Sequence, residues 1–249
     1  MNPDRPTERF ADRAADYARF RPTYPAAAVD AILDGAASHG PARVADVGAG
    51  TGILSRLLAA RGARVTAVEP NAAMCAAAAT ATGVSFVAGT AEATGLPGGA
   101  FDVVTVAQAF HWFDVPRALA EFARLLRPGG RLAILWNRRS RVDPFSLGYR
   151  RVLEAMHAEA PAQRSTFDPA VVAPASGFDG HRMLQFRNEH VVTEAGLLGL
   201  AMSTSTVPRD GPRHARIMQL LAELHAAHRQ ADGAAALVYD TDVYLWRRA

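Results

Sequence analysis

The stretch "VADVGAGTGILSRLLAARGARVTAVEP", residues 44 to 70, constrains the fold more than any other part of the chain. Three alternate glycines, Gly48, Gly50 and Gly52, stand between a short apolar run and a segment of helical spacing, and a second apolar run closes on Glu69 and Pro70. A glycine-rich turn between strand and helix lets backbone approach a ligand closely and presents unsatisfied N–H groups at the helix start. The same alternation continues downstream. Strands are expected at 43 to 47, 64 to 70, 84 to 89, 101 to 110 and 131 to 137, with helices at 53 to 62, 73 to 83 and 115 to 130 between them. Strands alternating with helices at this spacing imply βαβ units, a parallel sheet and right-handed crossovers.

Beyond Asn137 the pattern changes. Helices are expected at 147 to 160, 195 to 204 and 212 to 230, strands at 183 to 193 and 236 to 248, and the proline-bearing stretch 160 to 182 reads as an irregular cover over one end of the sheet. No linker or internal repeat divides the sequence. A chain of 249 residues with 49% hydrophobic content suits one α/β domain.

Composition excludes several classes. The one cysteine, Cys75, rules out an intrachain disulfide framework and leaves no zinc-type cluster, so no metal site is expected and the compartment reads as reducing. The start, "MNPDRPTERFADR", lacks the apolar core of a secretory signal, and no run is long enough to span a membrane, so a cytoplasmic protein is expected. All 27 basic residues are arginine, and they are scattered from Arg5 to Arg248. That pattern is a solvated surface rather than a nucleic-acid footprint.

The ligand of the glycine loop follows from what the loop lacks. A dinucleotide fingerprint G-x-G-x-x-G would need glycine at position 53, where Ile53 stands. Asp46, two positions before the first glycine, opposes a pyrophosphate and favours a ligand carrying an amino group and a sulfonium. Glu69 ends the second strand, where a carboxylate can accept both hydroxyls of an adenosine ribose. The expected carboxyl ends of all five strands carry unusual residues, "GAGTG", "EP", "GTAEATGLP", "AQAFHWF" and "NRRS". In an open parallel sheet the ligand lies across those ends.

At these residues the chain resembles the class I S-adenosylmethionine-dependent methyltransferases, in the small-molecule branch similar to the type 11 and trans-aconitate enzymes. The resemblance rests on residues 44 to 74, on "FVAGTAEATGLPGGAFDVVTVAQAFHWFD" and "LRPGGRLAILWNRR", and on "FADRAADYARFRPTYP" and "VYDTDVYLWRR" toward the two ends. It implies a Rossmann-like, doubly wound, mostly parallel seven-stranded sheet with one antiparallel strand, as a single domain over residues 1 to 249. Residues 1 to 40 would form an N-terminal lid, 41 to 137 the cofactor-binding half, and 138 to 249 the substrate side and closing strands.

The resemblance further implies S-adenosylmethionine as cofactor. Gly48, Ala49 and Gly50 would pass under its methionine part, with Asp46 beside them, and Glu69 and Pro70 would lie at its ribose. Met74 would cover the adenine, Thr90, Ala91 and Glu92 would flank that ring, and Ala107 and Gln108 would face the methionine end. Tyr17 and Arg21 would fold over the cofactor.

For the acceptor, Trp112 and Trp136 are expected to wall an apolar cavity, while Phe113 suits core packing equally well. His111 is the best-placed general base if the acceptor needs one, and a pocket-shaping histidine otherwise. Arg138 and Arg139 leave the fifth strand where an acidic acceptor would approach; Tyr24 and His190 are further candidates. A nucleic-acid enzyme of this family would show [DN]-P-P-[FYW] after the fourth strand, where "AQAFHW" stands. A small-molecule partner is therefore expected, without nucleic acid or membrane, and with a homodimer as the self-association left open. A nicotinamide-dependent reductase is disfavoured by Ile53 and by the lack of lysine, whereas a related non-methylating reaction such as a cyclisation stays open.

Overall fold

A computed structural model describes residues 11–36, 40–155, 167–172 and 177–249. Its centre is one seven-stranded sheet of order β3-β2-β1-β4-β5-β7-β6. The strands are β1 Arg43–Val47, β2 Arg64–Val68, β3 Val84–Val87, β4 Phe101–Ala107, β5 Leu126–Arg139, β6 Phe178–Val192 and β7 Ala235–Arg248. The first five pair in parallel, and β7 runs antiparallel between β5 and β6. This is the expected Rossmann-like arrangement, and strand order reverses between β1 and β4, where a doubly wound sheet opens a crevice.

Both faces of the central strands are covered, so β1, β4 and β5 are apolar almost throughout, whereas the edge strand β6 is largely exposed. On β5, Leu132, Ile134 and Trp136 join Val47, Val106 and Phe122 on one face, where helix α5, Val115–Leu125, packs. Ala133 and Leu135 point to the other face, against Ile32, Leu54 and Leu58 of α2, Ala26–Leu33, and α3, Ile53–Ala59. A third apolar cluster joins α6, Pro144–Ala155, α7, Glu194–Met202, and α8, Gly211–His228, to β7 through Tyr149, Leu200, Leu221 and Leu237.

Several expected boundaries shift for local reasons. The helix expected over 115 to 130 stops at Leu125, because Arg127 precedes Pro128 and is pushed into extended backbone, so β5 starts at Leu126 rather than at 131. Strand β4 ends at Ala107 rather than at 110, since Gln108 turns left-handed at φ 59° and Phe110–Trp112 form a 3-10 turn. Helix α4, Ala72–Ala76, is shorter than expected and is capped by the Asn71 side chain. Residues 178 to 182, expected in the irregular cover, belong to β6. Residues 1 to 10 and 37 to 39 of the expected lid, 156 to 160 of the expected helix, and 161 to 166 and 173 to 176 of the cover lie outside the described residues.

The N-terminal segment is tied to the far end of the sequence. Arg13 donates to the carbonyls of Met202, Thr204 and Val207 at 2.6–2.8 Å, satisfying backbone groups at and beyond the C-terminus of α7. Helix α1, Ala14–Phe20, rests on α7 so closely that a Cβ at Gly199 would lie 2.5 Å from the Phe20 ring. Asn137 and Asn188 both donate to Thr23 O, and a His190 ring nitrogen lies 3.1 Å from Phe20 O.

Candidate functional site

The glycine loop is built by backbone conformations that other residues adopt only at a cost. Gly48, Gly50 and Gly52 have φ of 68°, 57° and 72°. Gly48 N and Ala49 N both donate to Val68 O, which fastens the loop to the end of β2. A Cβ on Gly48 would lie 2.7 Å from Ala109 Cβ, and one on Gly50 would lie 3.3 Å from Met74 Cε. The loop therefore works as a close-fitting backbone cradle.

Glu69 is oriented by that loop. Its Oε2 accepts from Gly50 N at 2.8 Å and its Oε1 from Asn71 N at 2.9 Å. Burial raises its pKa, and the two N–H donors act against the rise. Pro70 is exposed, and the buried Met74 leans its methyl toward Gly50.

Asp46 sits differently from a free anion at the mouth of the loop. It points inward from β1, with Ser55 Oγ donating to Oδ2 at 2.5 Å and Thr105 Oγ1 to Oδ1 at 2.7 Å. Burial pushes its carboxyl up to about 6 against those two hydroxyls. It braces β1, β4 and α3 and also lines the cavity above the loop, together with Tyr17, Tyr24, Gly48, Ala49, Gly50, Ile53, Leu54 and Ala107. This cavity brings the expected loop residues together with two of the expected lid residues.

Around it stand the other candidates. Gln108, the one non-glycine residue with positive φ among the described residues, donates its N–H to Leu135 O and sets its side chain beside the buried Tyr24 hydroxyl. Strained backbone of this kind gathers at ligand sites. Arg21 lays its guanidinium 4.7 Å over the Tyr17 ring and donates to Ser203 O at 3.0 Å. Thr90 and Ala93 close a small bridge around the buried Ala91. Glu92 accepts from Asp114 N at 2.9 Å, a contact that steadies the start of α5.

Three of the aromatic candidates lie side by side. The His111 ring lies 4.4 Å from Trp112 and 5.3 Å from Trp136. Trp136 is buried, and its indole N–H has no hydrogen-bond partner among the described residues. Phe113 packs edge-on against Phe110 and Phe122 and belongs to the core.

The two arginines part company. They were expected in a loop, yet β5 runs through Arg139, and successive strand residues point to opposite faces. Arg138 forms an ion pair with the fully buried Asp242, whose other oxygen accepts from Gln185 Nε2 at 2.8 Å. Arg139 instead reaches the aromatic rings of Tyr149 and Tyr239, at 4.7 and 5.9 Å. They do not make one guanidinium pair. Sequence reasoning missed Ser55, Thr105 and Asn71 as braces and both tyrosines beside Arg139; hydroxyl and amide residues next to the motif were the available signal for the first three.

Comparison with known proteins fits this geometry. Residues 45–134 match the family model described as a methyltransferase domain. The chain is 46% identical over 132 residues to an uncharacterized methyltransferase of Mycobacterium tuberculosis, a match covering 52% of this chain and 52% of that protein, so it spans about half the length of that relative. It is 30% identical over 208 residues to the malonyl-[acyl-carrier protein] O-methyltransferase of Methylococcus capsulatus, covering 80% and 75% of the two chains. A proposed type II methyltransferase from Anaeromyxobacter dehalogenans superposes with a TM-score of 0.70 at 27% identity, over 92% of this chain and 98% of that one. The chain belongs to the class I S-adenosylmethionine-dependent methyltransferases. The close-fitting glycine cradle and the oriented Glu69 carboxylate suit that cofactor.

Proposed function

We propose that this chain transfers a methyl group from S-adenosylmethionine to a small, partly apolar acceptor bearing an acidic group. The observation that carries the reading is the Gly50–Glu69 contact beside the cavity: backbone cradle and ribose-binding carboxylate are held as one unit. Gly48, Ala49 and Gly50 would hold the methionine part, Glu69 the ribose hydroxyls, and Met74, Thr90 and Ala91 the adenine. When bound, the cofactor supplies a methyl on a sulfonium, which a nucleophile in line with the carbon–sulfur bond takes as that bond breaks.

The protein's part is alignment and exclusion of water. Tyr17, Arg21 and Tyr24 close the lid side, and His111, Trp112 and Trp136 wall the acceptor side. For an alcohol or phenol acceptor, His111 takes the proton lost from oxygen; a carboxylate acceptor needs no base. The O-methyltransferase relative from Methylococcus supports an oxygen as the accepting atom. The acceptor is a small molecule rather than a nucleic acid, in keeping with "AQAFHW" at the end of β4.

The test combines calorimetry with radiolabelled methyl transfer. S-adenosylmethionine should bind while NAD does not, and one or more of a panel of aliphatic acids, phenols and isoprenoid phosphates should take up label. Tight NAD binding, or cofactor binding with no uptake by any acceptor class, would overturn the reading, the second outcome in favour of a non-methylating reaction.

A further inference from the structure

We propose that Arg139, Tyr149 and Tyr239 form a receptor for the carboxylate of the acceptor, with Arg21 at its edge. This rests on the methyltransferase reading and relocates the acid's partner from Arg138, whose charge Asp242 already meets. Arg139 has no such partner. Among the described residues it forms no ion pair with a carboxylate and its Nε is buried without a hydrogen bond; burial works against its charge, and only the two neutral phenols support it. Both hydroxyls are buried, Tyr149 at 0% and Tyr239 at 3% exposure; each lies near enough to the guanidinium to support its charge, and Tyr149 also faces the Thr204 side chain, yet neither oxygen makes a well-formed hydrogen bond among the described residues. Native interiors leave very few buried polar groups without a well-formed hydrogen bond, so three donors gathered here, in contact mainly with one another, point to an acceptor that none of them supplies.

The chemistry of the missing partner follows from the donors. A guanidinium flanked by two phenol O–H groups offers only hydrogens, in the fork geometry that a carboxylate accepts. Burial pushes the Tyr149 hydroxyl up to about 12, so it remains a donor at neutral pH. Arg21 adds a second positive charge that acts on Tyr149, and its own Nε is likewise buried without a partner.

Placement favours the acceptor over the cofactor's own carboxylate. Arg139 and Tyr239 face each other in register across β5 and β7, whereas the glycine loop and Glu69 follow β1 and β2, on the other side of β4. The Arg21–Tyr17 stack joins the receptor to the cavity, since Tyr17 lines it. An acid held at Arg139 would thus extend toward the methionine end of the cofactor site.

The experiment titrates phenylacetate, adipate and phenylacetamide into the S-adenosylhomocysteine-loaded protein, by calorimetry. Phenylacetate or adipate should bind and the amide should not. Arg139→Gln should weaken the acid by about 10- to 100-fold, the size of a lost charge-assisted hydrogen bond, with S-adenosylhomocysteine affinity retained. Tyr149→Phe and Tyr239→Phe keep the rings, so they report even if Arg139→Gln fails to fold, and each should weaken the acid several-fold. Equal binding of acid and amide, no binding of either acid, or unchanged acid affinity in the variants would overturn the receptor. Loss of S-adenosylhomocysteine affinity with acid binding intact would also overturn it, assigning Arg139 to the cofactor's carboxylate. Failure of the wild type to bind S-adenosylhomocysteine would instead overturn the methyltransferase reading, while acid and amide titrated without it would still decide the receptor.

Discussion

Gly50 donates its backbone N–H to Glu69 Oε2 at 2.8 Å, so the two halves of the cofactor motif, 19 residues apart, are one hydrogen-bonded piece. Removing the carboxylate therefore withdraws the proposed partner of the ribose and the brace of the loop together. Glu69→Ala should lose about 1.5–3 kcal/mol of S-adenosylmethionine affinity, the scale of hydrogen bonds to a charged group. Calorimetry checks this; an unchanged Kd would remove Glu69 from the site.

The glycines separate conformation from crowding. Gly48→Ala meets both a left-handed φ of 68° and the Ala109 Cβ, whereas Gly62→Ala meets a φ of 84° with nothing within 4 Å. Each should lose about 1–2 kcal/mol for the backbone alone, and Gly48→Ala more on account of the clash. Thermal unfolding should rank Gly62→Ala above Gly48→Ala in Tm, and equal values would mean that the Ala109 side simply gives way.

Asp46 makes stability depend on pH in an unusual direction. Its folded pKa, about 6, lies above the ordinary 3.8, so between these values the folded state binds more protons than the unfolded one. Stability from this group therefore falls as pH rises from about 4 to 6 and is flat above. Asp46→Asn removes that slope. Urea unfolding at pH 4.5 and 7 should show the wild type losing about 1–3 kcal/mol relative to the variant across the interval. Parallel behaviour of the two proteins would show that the buried carboxyl titrates normally.

The docking of α1 on α7 can be tested from the α7 side. Gly199→Ala pushes a methyl into the Phe20 ring, at 2.5 Å before any adjustment. Proteolysis within residues 11 to 21 should accelerate and S-adenosylhomocysteine affinity should drop, while Gly199→Ala combined with Phe20→Leu should recover much of both. Equal cleavage rates in wild type and single variant would show that α1 does not depend on this contact.

The fold was legible because its signals are local. Alternate glycines, valine-rich runs of four or five residues and segments of helical spacing each act within one turn or strand, and together they announce strand, loop and helix through Asn137. Where a boundary moved, a neighbouring residue moved it, as Pro128 did for β5 and Gln108 for β4. The convergence of Gly48 to Gly50, Glu69 and Ala107 was equally legible, since they come from adjacent strand ends. The acceptor side was not. Which face Arg138 and Arg139 present depends on β5 continuing two residues past Asn137, Tyr239 reaches Arg139 through the pairing of β7 with β5, and Tyr149 reaches it through the packing of α6. Spacing along the chain carries no trace of such a meeting.

The three carbonyls that hold Arg13 lie 189, 191 and 194 residues further along the chain. During synthesis the segment bearing Arg13 is made well before α7, so it stays unanchored until the chain has been extended by about that length. Loop closure of that length costs little more than a much shorter one, which lets evolution place cover and anchor at opposite ends of the sequence. A nascent chain halted before Met202 would carry the glycine cradle and Glu69 but none of the three carbonyls that hold Arg13.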